Sequence, residues 1–283
     1  METALLPLYK AISIKELAID GGTSKPCILD IDTGNGAIVP YVVKILKQSY
    51  LKNGHPIQSE VFANVLACAF DLKTPNIALI DVPNWIISEV RIAPQYAGYG
   101  QNELQASVYF GSEYIENNQD YSEPLRSRHL THADCALIFA FDTFILHCDR
   151  RTAKPNLFFK DEDVFLIDHE SALLIGSQTY QTLWQRGEYL TNQMRIDRPH
   201  LFLDYLRKNK TKIDFSLFHE YLKYLNTNIL DAYAEKIVGV MREKNRTHEG
   251  DDNFHYAPIK NYLCEVKSNA PHFIEQLTEL INT

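Results

Sequence analysis

The chain has 283 residues, 45% hydrophobic and 23% charged, and a formal charge of −8 from 28 basic against 36 acidic side chains. This is ordinary globular composition with enough chain for one large domain or two lobes, and the acid excess argues against a nucleic-acid partner by bulk electrostatics. The five scattered cysteines (27, 68, 135, 148, 264) lack a CxxC pair, the opening METALLPLYK lacks a signal-peptide pattern, and the apolar run 136–146 is interrupted by Asp142 and too short to span a bilayer, so a soluble cytoplasmic protein with no membrane partner is expected.

Residues 11–19 alternate loosely and read as a strand, followed by the polar loop Asp20-Gly21-Gly22-Thr23-Ser24-Lys25-Pro26. A second strand at 27–31, the turn Asp32-Thr33-Gly34-Asn35-Gly36 and a third strand at 41–46 come next. Three antiparallel strands with a glycine-bearing first turn make a cover for phosphates, because glycine lets the backbone approach and free N–H groups there bind anions. The loop is not a P-loop, since GxxxxGK[ST] is absent, and loops of this composition are often simple turns. Lys44 lies between β-branched neighbours and must either reach out to water or meet an acid. The candidate acid is Glu60, in the segment 59–70, whose apolar residues at 61, 62, 65, 66, 69 and 70 have helical spacing. The alternative for Glu60 is a plain first-turn acid favoured by the helix dipole.

Residues 76–80 read as another strand, and 93–102 (APQYAGYGQN) as a connection rather than a domain linker. A strand at 105–110 runs into Gly111–Ile115, extended backbone at which an adenine could pair with N–H and C=O groups. The polar run 116–127 then breaks the hydrophobic pattern, which places a boundary near 115 and divides the chain into 1–115 and 116–283.

Residues 133–146 read as a buried helix that leads directly to Asp149. The stretch His147 to Leu174, HCDRRTAKPNLFFKDEDVFLIDHESALL, then presents an acid (Asp149), an amide (Asn156), a hairpin, and a second acid (Asp168). That order suits phosphoryl transfer: one carboxylate orients the acceptor hydroxyl, while an amide oxygen and a second carboxylate hold Mg²⁺ against the phosphates. Magnesium takes few protein ligands and only oxygen, and the hairpin lets residues 12 apart face one ion. A surface hairpin with an acidic turn is the alternative for this stretch alone. Further on, apolar stripes at 215–225, 233–241 and 273–281 have helical period and read as core.

With these residues in view, the chain resembles the HipA-like kinases, a bacterial branch of the protein-kinase fold, and among them the short members that are little more than the kinase-like domain. The resemblance runs from about residue 12 to residue 174. It implies an α+β, two-lobed fold, with a small antiparallel-sheet N-lobe carrying one helix and a mainly helical C-lobe. It further implies that Gly21, Gly22, Thr23, Ser24 and Lys25 cover the phosphates of ATP, that Lys44 paired with Glu60 meets those phosphates, and that Glu113 and Ile115 in the hinge 111–115 hold the base. Asp149 looks like the catalytic-loop aspartate, Asn156 like the metal asparagine, and Asp168 in Leu-Ile-Asp-His-Glu like the metal aspartate of Asp-Phe-Gly. Two departures stand out. The asparagine of ordinary kinases comes five residues after the catalytic aspartate, whereas here position 154 is lysine and the amide is at 156. Nor does an Ala-Pro-Glu close an activation segment.

The function expected is thus an ATP- and Mg²⁺-dependent serine/threonine protein kinase, with a protein substrate and an antitoxin or other regulatory protein as the partners implied by the resemblance. Three alternatives stand beside it: a small-molecule kinase on the same fold, a nucleotide-binding regulator without turnover, and a metallohydrolase built on His129, His132, His147, Cys148, Asp168 and His169, although no HExxH is present.

Overall fold

A computed structural model describes residues 6–17, 25–47, 55–96, 103–175, 199–245 and 256–282. They form two compact units: the first comprises Met1–Val61, Pro75–Glu116 and Leu230–Phe254, the second Phe62–Thr74, Asn117–Ile229 and His255–Thr283.

The first unit is built on β1 (Leu8–Glu16), β2 (Pro26–Asp32), β3 (Ile38–Lys44), β4 (Ile77–Val82) and β5 (Ser107–Glu113). Their hydrogen-bonded order is β1-β2-β3-β5-β4, and β4 returns to β1, so the sheet is a closed barrel. Five strands cannot alternate direction all the way round a ring, and one seam has to be parallel. It is β1 with β4 (Leu8 opposite Leu79, Lys10 opposite Asp81); the other seams are antiparallel. The antiparallel sheet expected from the sequence is therefore present but larger, and it is closed. Two irregularities in β1, between Ala11 and Ser13 and between Ile14 and Glu16, supply the extra bend that closure needs. Gly111 is required where β4 and β5 approach: a Cβ there would lie 2.6 Å from Ile80 Cγ1.

Helix α1 (His55–Ala69) begins ahead of the periodic segment, with Pro56 in its first turn, where the missing N–H has no helical partner to lose. Glu60 consequently lies past the first turn, so the dipole argument does not account for its position. The unit also carries more than the one helix expected. Helix α2 (Asn84–Ile92) buries Ile86, Ile87 and Val90. A further helix, Asp231–Asn245, belongs to the same unit and packs on β5. Within the 93–102 connection, Pro94–Tyr96 forms a single 3₁₀ turn that buries Tyr96; residues 97–102 and the loop residues Gly21, Gly22, Thr23 and Ser24 lie outside the described residues.

The second unit is mainly helical. After α3 (Glu123–His129), α4 (His132–Phe144) opens with a capping box in which Thr131 and Asp134 satisfy each other's backbone N–H groups, and it is buried from Cys135 to Phe144. Around it Phe70 stacks on Phe218 at 5.1 Å and meets Phe141 and Phe144 at 5.5 Å each. Short strands β6 (Gln119–Asp120), β7 (Leu157–Lys160) and β8 (Asp163–Leu166) make a small antiparallel sheet in which Phe158 stacks on Phe165. Helices α5 (Leu203–Lys208) and α6 (Ser216–Tyr224) pack on α4. Helix α7 is the Asp231–Asn245 segment of the first unit, and α8 (Tyr256–Ser268) and α9 (Ala270–Asn282) complete the helical unit. Among the described residues no helix is long and apolar enough to cross a membrane.

Candidate active site

In the first unit, Lys44 ends β3 and its ammonium donates to the Glu60 carboxylate on α1. Glu60 is 2% exposed and Lys44 12%, so the lysine meets an acid and does not reach out to water. A carboxylate so deeply buried has to be paired, and the pairing fixes where the ammonium points. Lys25 is half-buried, and its carbonyl accepts from the Tyr96 hydroxyl at 2.6 Å, which ties the start of β2 to the turn at 94–96. Glu113 and Ile115, at and just beyond the end of β5, are half-buried. The Glu113 N–H donates to the Asn76 carbonyl at 2.8 Å and its side chain accepts from Asn76 at 2.6 Å; the Tyr114 N–H donates to Pro40. The Glu113 amide is thus committed within the protein.

In the second unit, α4 ends in a Schellman motif: the His147 N–H bonds to the Asp142 carbonyl at 2.8 Å and the Leu146 N–H to the Thr143 carbonyl at 3.2 Å. Leu146 takes the left-handed conformation (φ 57°) that glycine usually fills, and the chain turns sharply toward Asp149. Three residues picked from the sequence converge here. The Asn156 side-chain amide donates to the Asp149 carbonyl at 3.1 Å, leaving its oxygen as the end for a cation. Lys154 Nζ lies 2.7 Å from Asp149 Oδ2 and 2.6 Å from Asp168 Oδ2, and Arg151 pairs with Asp149 Oδ1 at 2.5 Å. Asn156 (φ 49°) and Asp168 (φ 61°) are both left-handed, a conformation that Asn and Asp tolerate better than most and that recurs at functional sites. Burial raises the Asp149 pKa, but the hydrogen bonds and charges of Lys154 and Arg151 outweigh it and hold the group below the usual carboxylate range.

A network that the sequence reading missed lies directly beneath. Arg150 is wholly buried; it donates to Asp142 at 2.6 and 3.2 Å, to the Asn156 carbonyl, and to His169 Nε2 at 3.3 Å. His200 contacts Asp142 at 2.9 Å, and the Leu201 N–H donates to the Arg150 carbonyl at 2.9 Å. One guanidinium thereby joins α4, the loop 149–156, the residue after Asp168 and the chain returning at 200. Burial would raise the Asp142 pKa, but the Arg150 charge and the His200 hydrogen bond drive it far below the ordinary value. Burial depresses His147 to about 4, against the pull of Asp142 and helped by Arg150, and it holds His169 well below the usual histidine range. The one sequence signal was Asp142 itself, an acid inside the apolar run 136–146.

The histidines and Cys148 do not assemble a metal site. His132 contacts the Tyr205 hydroxyl at 2.7 Å, His129 packs on Phe159, His147 contacts Ser171, and Cys148 is exposed. Among the described residues no group of potential ligands includes a histidine. Asn156 and Asp168, by contrast, offer oxygen donors suited to Mg²⁺, and a cation, the Lys154 ammonium, already lies between Asp168 and Asp149.

A barrel unit with a strand lysine fixed by a helix glutamate, and a helical unit whose hairpin is flanked by acid, amide and acid, define a protein-kinase-like protein. The HipA-like kinase family model matches residues 18–185, more than half of the chain, and the protein belongs to that family. The crystal structure of a Helicobacter pylori proinflammatory kinase, CtkA, aligns with a TM-score of 0.45 at 12% identity, covering 96% of this chain and 95% of that one. No curated protein matches the chain significantly.

Proposed function

We propose that the protein transfers the γ-phosphoryl group of ATP to a serine or threonine hydroxyl of a protein substrate. The observation that carries this reading is the joining of Asp149, Asn156 and Asp168 by hydrogen bonds and ion pairs at the ends of one hairpin. Asn156 and Asp168 would hold Mg²⁺, which when bound neutralises charge on the phosphates. Asp149, a carboxylate ionised at neutral pH, would orient the acceptor hydroxyl and take its proton. Lys44, aimed by Glu60, would meet the phosphates; Gly21, Gly22, Thr23, Ser24 and Lys25 would cover them, with the base held near Glu113 and Ile115. A protein acceptor, a regulatory or antitoxin-like partner and a cytoplasmic location complete the proposal. A second reading, a nucleotide-binding regulator without turnover, draws on the two cations that already occupy Asp149.

The test is incubation with γ-labelled ATP, alone and with cell lysate, beside a titration of ATP affinity. Asp149→Asn should keep affinity within a few-fold while transfer falls by roughly 10²-fold or more, on the general-base scale. Equal transfer by both forms would make Asp149 a structural acid. ATP binding with no transfer to any acceptor would favour the regulator, and label confined to small molecules would favour a small-molecule kinase.

A further inference from the structure

We propose that Lys154 is a built-in counter-ion of the metal site: in the metal-free protein its ammonium holds Asp149 and Asp168 together, and a divalent cation enters by displacing it. The inference rests on the phosphotransferase reading for the identity of the site and adds to it a competitor for the cation supplied by the chain itself.

The bridge is the first observation. Lys154 Nζ lies within 2.7 Å of a carboxylate oxygen on each of the two acids, whereas Arg151 reaches Asp149 alone. Sequence position is the second. Lysine stands five residues after the catalytic aspartate, where ordinary kinases carry the metal-binding asparagine, and the amide has moved to 156. An ammonium has donors only and cannot ligate a metal, so at this place it opposes metal entry until it moves. The third observation is that it can move without the loop. The Lys154 backbone is fixed by reciprocal hydrogen bonds with Arg151 (2.9 and 3.0 Å), while its side chain is 34% exposed on a flexible four-carbon stem. Asn156 is held separately through the Asp149 carbonyl and needs no rearrangement. Without a cation between them, two half-buried carboxylates gathered by one group would repel, which is the purpose Lys154 serves at rest.

The experiment titrates Mn²⁺ into the full chain without nucleotide, reading free Mn²⁺ by electron paramagnetic resonance. Lys154→Met should bind Mn²⁺ roughly tenfold or more tighter than wild type, since metal entry no longer breaks two ion pairs. Arg151→Met removes the same charge from Asp149 but leaves the bridge, and should change affinity by less than about threefold on the surface-pair scale. Lys154→Met should also melt lower than wild type without metal and recover with Mn²⁺; Lys154→Gln, which keeps a hydrogen-bonding end, serves if the methionine variant does not fold. Unchanged or weaker Mn²⁺ binding in the Lys154 variants, with wild type binding normally, overturns the inference alone. An equal gain in Arg151→Met also overturns it, because general charge then accounts for the effect. Absence of Mn²⁺ binding in all forms overturns the metal site and the phosphotransferase reading with it.

Discussion

Arg150→Met should destabilise the protein by about 3–5 kcal/mol, the range for removing one partner of a buried ion pair. Asp142 and Arg150 are both fully buried, and the guanidinium gives Asp142 two of its hydrogen bonds. With the methionine in place Asp142 keeps the His200 contact, but a largely uncompensated carboxylate stays inside the helical unit. Replacing both partners by apolar residues, Asp142→Leu with Arg150→Met, removes that charge and should recover about 2 kcal/mol or more of the loss. Urea unfolding followed by far-UV circular dichroism reads both numbers. A loss below about 1 kcal/mol for Arg150→Met, or a double variant no more stable than the single one, would refute the argument. The double variant separates stability from positioning: although firmer, it should still transfer phosphate poorly, because Asn156 and His169 have lost their common donor.

Lys44→Met should weaken ATP·Mg²⁺ binding about tenfold or more, the loss of one charge-assisted contact, in a calorimetric titration; adding Glu60→Gln should restore stability but not affinity, and unchanged affinity would remove Lys44 from the nucleotide site. Acid should destabilise the fold through His147. Its folded pKa of about 4 lies below the unfolded value near 6.5, so the unfolded state takes the proton first; stability is full above about 6.5 and falls by about 3 kcal/mol as pH drops to about 4. His147→Gln should flatten urea midpoints across that window, with the His169 contribution remaining, and an identical slope in the variant would exclude the histidine as the cause. Gly111→Ala should destabilise the fold by about 1–3 kcal/mol through overpacking against Ile80 and so lower the melting temperature, and an unchanged melt would mean that the strands yield.

What the sequence disclosed was local or regularly spaced. A lysine among β-branched neighbours and an acid in a helical segment offered the Lys44–Glu60 pair beside a solvent-facing alternative, and the acid–amide–hairpin–acid order singled out Asp149, Asn156 and Asp168 together. Hairpin β7–β8 and helix α4 fall within a residue or two of the segments that their apolar patterns marked. The Arg150 network was not legible, because its partners come from 8, 19 and 58 residues away along pairs whose contact no local pattern encodes. Barrel closure was hidden for a similar reason: the β1–β4 seam joins strands separated by β2, β3 and α1. The stripe at 233–241 showed that a helix buries one face, but periodicity carries no information on what covers that face, which is β5.

A sheet with an open rim can take up a strand from another chain, and many proteins recruit peptides through such backbone pairing. The ring of β1 to β5 shortens such a rim, since every strand has a neighbour on each side over at least part of its length. In the helical unit, β8 is flanked on its outer side by Lys73, whose carbonyl accepts from Leu166, and β6 is only two residues long. Backbone pairing on the described strands is thereby confined to short stretches, and a protein that docks there meets mainly side chains. Recognition through side chains rests on contacts and charges at individual positions, so single surface substitutions are enough to alter it.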